Sequence, residues 1–265
     1  MGARVDVVLC DLDGVVWLAH QAIPGAAEAI AELRAAGRRV LFVTNNAFST
    51  IAEQEAALAA IGVPAEGDVV NSAHAAAQLV EPGACVLAGG GPGLFEALTE
   101  RGAEALDPPA WDEAGRPSVA AVVVGLHRTF DYARLEALST AVRGGATFIA
   151  TNHDATYPTP AGLVPGAGSV VAAVATAAGA TPAIAGKPHA PMAAAVAARI
   201  GSGFAPERTL MVGDRVDTDG AFAATLGSPF ALVRTGVVRP GDPVTGPVTF
   251  DQFDLAEVAA RVLAT

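Results

Sequence analysis

The residues best equipped for chemistry are two aspartates in Val7-Val8-Leu9-Cys10-Asp11-Leu12-Asp13-Gly14. Two carboxylates held close together repel unless a proton or a cation lies between them. Mg²⁺ suits such a pair, because it takes carboxylate oxygens together with water and phosphate oxygens. Three later features carry complementary groups: Thr44-Asn45-Asn46, Lys187 within Gly186-Lys187-Pro188, and Gly213-Asp214 followed by Thr218-Asp219. A carboxylate can attack phosphorus and form an aspartyl-phosphate, and Asp11, nearest the strand end, fits that nucleophile. Asp13 can protonate a leaving oxygen and later activate water. Asp214, with Asp11 and a carbonyl near Asp13, can hold Mg²⁺. The Thr44 hydroxyl, the Asn45-Asn46 segment with its N–H groups, and Lys187 can neutralise phosphoryl oxygens, which is where most phosphoryl-transfer catalysis lies. Asp219 would orient Lys187 or a metal-bound water.

Each feature alone has a plainer reading. Asp13-Gly14 between apolar segments is a hairpin signal. Thr44-Asn45-Asn46 and Asp214 could simply cap helices, and Lys187 could be a loop lysine. The elements around them favour a common site. Val7–Cys10, Val40–Val43 and Arg208–Val212 are short apolar runs of the kind found in strands buried on both faces of a parallel sheet. Three of the four features follow such a run, and in open α/β sheets ligands bind beyond the carboxyl ends of the strands. Helical spacing covers 25–36, with Gly37 as a stop, and again from Ser49 or Thr50 to Gly62. A strand near Val69-Val70 and a helix from Ser72 complete an alternation that implies a parallel sheet with right-handed crossovers.

The rhythm restarts near Glu81-Pro82-Gly83. Strands are expected at 85–88, 119–124 and 147–150, and helices at 92–101 and 131–143. Residues 107–117 and 151–168 read as irregular, before a helix that runs to Gly179. The first rhythm returns with helices at 190–200 and 217–226, a strand at 230–233 and a terminal helix after Asp251. The expected architecture is therefore α/β. A Rossmann-like core at 1–81 and 183–265 carries a large inserted α/β domain at 82–182.

The chain has 265 residues, 52% apolar and 16% charged, as expected of a folded globular protein. Its net charge of −11 argues against a nucleic-acid or anionic-membrane surface, although a bound metal could still bring in an anionic substrate. Cys10 and Cys85 are the only cysteines and form no disulfide framework or zinc spacing. With no charged-then-apolar leader, a cytoplasmic protein is expected. The Ala-rich stretches are too interrupted to span a bilayer.

The motifs DLDGVVW at 11–17, FVTNN at 42–46, GKP at 186–188 and VGDRVDTD at 212–219 stand in a specific order and spacing. With them the sequence resembles the haloacid dehalogenase superfamily of phosphatases, in the subfamily of NagD, phosphoglycolate phosphatase and 4-nitrophenylphosphatase. The segment ATNHDATYPTPAGLVPGAGS at 150–169 also resembles that subfamily's cap. The resemblance covers nearly the whole chain. It implies a Mg²⁺-dependent phosphomonoesterase for a small phosphorylated metabolite, with an α/β cap between its second and third motifs. Subfamily substrates include phosphoglycolate, glycerol phosphate, pyridoxal phosphate and nucleotide monophosphates. Exposed apolar cap surface could support a homodimer, as in some relatives. Two positions depart from the family pattern. His153 stands where proline is common, and Ala47-Phe48-Ser49-Thr50 replaces small polar or basic residues.

Other readings fit less well. Gly89-Gly90-Gly91-Pro92-Gly93 follows a strand, but a dinucleotide fingerprint fails at Leu94. A non-catalytic phospho-accepting or ligand-binding α/β protein could share Asp, Thr, Lys and Mg²⁺, yet Asp13 favours turnover. In the inserted domain, Asn152, His153 and Asp154 open a long loop through Pro160. Such loops are often functional, and this one is expected to close over the substrate's leaving group.

Overall fold

The computed structural model describes residues 4–18, 20–159 and 162–264. The chain divides into two compact units. One comprises residues up to Thr44, Ala52–Val70 and Lys187 onward, and the other Asn45–Ile51 and Asn71–Gly186. Residues 71–81, grouped with the core from sequence, cluster with the second unit. So does the short segment Asn45–Ile51.

The first unit is built on a six-stranded sheet. Its order is Phe250–Gln252, Phe230–Val233, Thr209–Gly213, Val7–Cys10, Arg39–Thr44 and Val69–Asn71. Val7–Cys10 lies centrally and pairs in parallel with Thr209–Gly213 on one side and Arg39–Thr44 on the other. All four of its residues are buried. This explains the unbroken apolar run, since neither face meets water. Burying each such Val or Leu contributes roughly 1.5–3 kcal/mol. The parallel pairing also removes the Asp-Gly hairpin reading. A small antiparallel hairpin, Trp17–Leu18 with Gln21–Ala22, forms just downstream instead. The edge strand Phe250–Gln252 lies where only a terminal helix was expected. The helix follows at Leu255–Leu263, with Asp254 accepting from the Glu257 N–H at 2.9 Å.

The second unit has its own parallel sheet, in the order Ala183–Ile184, Thr147–Ala150, Ala121–Val124, Cys85–Gly89 and Glu104–Leu106. Two stretches read as irregular are ordered here. Residues Pro108–Glu113 form a helix capped by Asp107, whose carboxylate accepts from the Ala110 N–H at 3.2 Å. The Pro-rich composition misled because proline suits the first turn of a helix. Within that helix, Trp111 is 4% exposed, packs with Leu87, Val122, Leu138 and Phe148, and donates its indole N–H to Pro117 O at 2.8 Å. It is a core residue. The second stretch contains an antiparallel hairpin, Thr156–Thr159 with Gly162–Pro165. Pro160 lies outside the described residues. Among the described residues, no helix is long and apolar enough to cross a membrane.

Candidate active site

The first unit gathers four of the candidate side chains at the carboxyl ends of its central strands. Asp11 follows Val7–Cys10, and Asp214 follows Thr209–Gly213. Beyond Asp214, Val216–Gly220 forms a five-residue π-helical turn before the α-helix Ala221–Leu226. Such wide turns are often found at functional sites. Asp219 sits on this turn, and its carboxylate accepts from the Arg215 N–H at 3.2 Å.

Lys187 joins these elements. Its Nζ donates to Asp11 Oδ1 at 2.7 Å and to Asp219 Oδ1 at 2.8 Å. Lys187 is 2% exposed and Asp219 1% exposed. Burial alone would lower the lysine pKa, but Asp11 and Asp219 outweigh it, so its pKa is raised and it stays charged. The surface-loop reading of Lys187 therefore falls.

Asp214 occupies a tight recess. One oxygen accepts from the Val237 N–H at 2.6 Å. Gly14 lies in the left-handed region at φ +85°, where a Cβ would come within 2.5 Å of the same carboxylate. The Thr235 hydroxyl donates to Gly14 O at 2.6 Å and holds that turn. The 235–237 segment is a part of the site that motif reading missed. Its contribution is the Thr235 hydroxyl, the Val237 N–H and Gly236, where a Cβ would meet the Asp214 carboxylate, and no motif at that spacing marks it in the sequence.

Asp11, Asp214 and Asp219 each offer an oxygen within 4.8 Å of the others. With Lys187 as the counter-charge, the ionised cluster would keep two negative charges out of water. Burial and mutual repulsion therefore weigh against full ionisation of the three carboxyls. Burial, then Asp219 and Asp11, pushes Asp214 up to about 8. Burial likewise pushes Asp219 up to about 6 despite Lys187, and raises Asp11. A divalent cation matches that charge deficit, and an all-oxygen donor set suits Mg²⁺. The residues present therefore fit the metal.

Asp13 lies two residues beyond Asp11. Its side chain is exposed, and the clustered carboxylates are Asp11, Asp214 and Asp219. The strand Val7–Cys10 ends before Asp11, so the chain does not continue extended through Asp13. In fact the N–H groups of Val15, Val16 and Trp17 all turn back onto Leu12 O. An exposed carboxylate beside the cluster can still exchange protons with water. Thr44 is buried at the end of its strand.

Asn45 and Asn46 belong to the second unit. The Asn46 side-chain oxygen accepts from the Phe48 and Ser49 N–H groups at 3.0 and 3.3 Å, closing the turn. Asn45 Nδ2 donates to Asp154 Oδ2 at 3.0 Å, and Asn152 Nδ2 donates to Asn45 O at 2.8 Å. His153 is exposed.

Residues 8–104 match the family described as haloacid dehalogenase-like hydrolase, and residues 184–256 match the HAD-hydrolase-like family. The chain is 42% identical to a D-glycerol 3-phosphate phosphatase of Mycobacterium tuberculosis over 244 residues, covering 90% of this chain and 65% of that protein. It is 38% identical to the glycerol-3-phosphate phosphatase of Gallus gallus over 255 residues, covering 89% of this chain and 81% of the relative. A crystal structure of the mycobacterial glycerol phosphate phosphatase in complex with magnesium superposes with a TM-score of 0.83 at 39% identity. That match covers 95% of this chain and 76% of the other.

Proposed function

The chain belongs to the haloacid dehalogenase-like hydrolases, and from that membership and the site we propose a Mg²⁺-dependent phosphatase acting on a small phosphorylated metabolite. The observation that carries this reading is the cluster of Asp11 with the buried Asp214, Asp219 and Lys187, which is short of positive charge. A site short of positive charge has a physical need for a divalent cation, and Mg²⁺ brings phosphate oxygens with it. When bound, the metal would supply charge neutralisation for the nucleophile and the phosphoryl group.

The remaining chemistry falls to the chain. Asp11 would attack phosphorus as the bond to the leaving oxygen breaks, giving an aspartyl-phosphate. Asp13 would protonate the leaving oxygen. Water then attacks phosphorus, Asp13 takes its proton, and the bond to Asp11 breaks to release inorganic phosphate. Lys187, Thr44, Asn45 and Asn46 would hold the equatorial oxygens, where fixed donors stabilise the transition state without reorganising. Asp219, hydrogen-bonded to Lys187 Nζ, would keep that ammonium in place.

The relatives' names support a narrower substrate class. Two are named glycerol phosphate phosphatases, and we infer a small polyol or sugar phosphate. A phosphate-release panel with glycerol phosphate, sugar phosphates, phosphoglycolate and 4-nitrophenyl phosphate tests this. Polyol phosphates should rank highest with Mg²⁺, and a chelator should abolish release from all. Ca²⁺ should inhibit, because its larger and looser coordination misplaces the nucleophile. Full activity in chelator would overturn the assignment.

A narrower expectation concerns Asp13→Asn. Metal affinity should hold, since a backbone carbonyl survives the change. Formation and breakdown of the phosphoenzyme should both slow by roughly a hundred- to ten-thousand-fold. Rapid-quench kinetics would read both steps, and an unchanged rate for either would remove Asp13 from that step.

A further inference from the structure

Asn45–Ile51 runs on directly from the core strand Arg39–Thr44, yet it clusters with the second unit. Within that unit it is held at several points. Asn45 O accepts from the Ser72 hydroxyl at 2.7 Å and from Asn152 Nδ2 at 2.8 Å. Asn45 Nδ2 donates to Asp154 Oδ2 at 3.0 Å. Asn152 in turn accepts from the Asp154 N–H at 3.1 Å, which sets the two residues as one bracket. Further along, Gly93 N–H donates to Phe48 O at 2.9 Å, and Ile51 N–H donates to Glu96 Oε2 at 2.8 Å. A Cβ at Gly93 would fall 2.1 Å from Ser49 O. Glycine at that position is what lets the two backbones meet, and this explains the last glycine of the run.

We propose that Asn152 and Asp154 are positioning residues of the phosphate site, acting through Asn45 and not on the substrate's leaving group. This rests on the reading above, in which Asn45 belongs to the phosphate-binding segment. Asn152, with Ser72, grips the Asn45 carbonyl and Asp154 grips its side-chain amide, so both contribute to the placement of Asn45. The Asp154 contact, at 3.0 Å, is an ordinary hydrogen-bond distance for an amide N–H and an oxygen acceptor. Neither residue needs to reach the substrate for its loss to matter, because small misplacements of a phosphate-binding group are costly. The phosphoryl group is common to every substrate. Loss of the bracket should therefore lower all rates alike, whatever the leaving group.

The test is a double-mutant cycle on the full chain with Mg²⁺, using Asp154→Ala, Asn45→Ala and the pair. It reads kcat and KM for 4-nitrophenyl phosphate and glycerol phosphate, and inorganic phosphate binding by calorimetry. Asp154→Ala should lower kcat/KM for both substrates equally, by about ten- to a hundredfold, mostly in kcat, and should weaken phosphate binding. In the Asn45→Ala background it should add nothing further. Asp154→Asn should recover most of the loss, since its side-chain oxygen can still accept from Asn45. If Asp154→Ala does not fold, Asp154→Ser completes the same cycle with an acceptor too short to reach. Additive losses, or a loss confined to one substrate, would overturn the proposal. A wild-type protein that binds phosphate but hydrolyses neither ester would instead overturn the phosphatase reading, and the cycle would still be legible in phosphate affinity.

Discussion

Asp11→Asn should reduce turnover of every phosphomonoester by at least about ten-thousand-fold, the scale seen when a covalent nucleophile is removed. Acid quenching should trap labelled phosphoenzyme in the wild type and none in the variant. The geometry makes this substitution informative. Asparagine preserves the volume of Asp11 and an oxygen that can accept from Lys187 Nζ, now at 2.7 Å. It removes the negative charge that makes the oxygen nucleophilic. The Lys187 bridge to Asp219 at 2.8 Å persists in the variant, so the surrounding strand ends should keep their arrangement. Inactivity in a folded variant would then report on chemistry. A variant that still turned over near the wild-type rate would place the nucleophile elsewhere.

Asp214→Asn should have two opposite effects. The first is on metal use: the Mg²⁺ concentration for half-maximal activity should rise by at least about a hundredfold, more than the loss of an outer-shell partner costs. The second is on stability without metal. Burial and the neighbouring Asp219 and Asp11 push Asp214 from 3.8 up to about 8 in the folded chain. The folded state therefore holds more protons than the unfolded state between those values. Stability of the metal-free wild type should fall as pH rises from about 4 to about 8. Asparagine is neutral throughout and can keep the bond from the Val237 N–H. The metal-free variant should thus melt above the wild type at pH 8, by about 2–4 °C for each kcal/mol relieved. Mg²⁺ should raise the wild-type midpoint more than that of the variant. Thermal melts at pH 5 and pH 8, with and without Mg²⁺, check both effects. A variant less stable than the metal-free wild type at pH 8 would contradict the electrostatic account.

Much of the architecture could be read in the chain because its elements announce themselves locally. Val7–Cys10 and Thr209–Gly213 are apolar without alternation, a pattern that a strand buried on both faces requires. The helix Tyr132–Arg143 begins where Asp131 offers a cap, and the Arg134 N–H takes it at 2.9 Å. The errors fall where composition and context pull apart. Pro108 and Pro109 suggested a loop, yet Asp107 before them starts a helix and Trp111 within it is core. Past Asp11 the chain turns back onto Leu12 O, a change of direction that no residue type there announces.

What the sequence determined by itself was the inventory of chemical groups and their order along the strand ends: Asp11, Asp13, Thr44, Lys187, Asp214 and Asp219. Residue type limits what a group can do, and a parallel sheet limits where strand ends can lie. Which groups meet, and in what charge state, was decided only by the tertiary structure. Lys187 taken alone could have been a loop lysine, and folding places it between Asp11 and Asp219, 176 and 32 residues away. Asp219, read as a supporting residue, is carried by the π-helical turn to where its oxygen lies among those of Asp11 and Asp214. The Val237 N–H that holds Asp214 has no signature in residue type at all. Contacts of this kind depend on desolvation and on distances across the fold, and neither is encoded in the spacing of neighbouring residues.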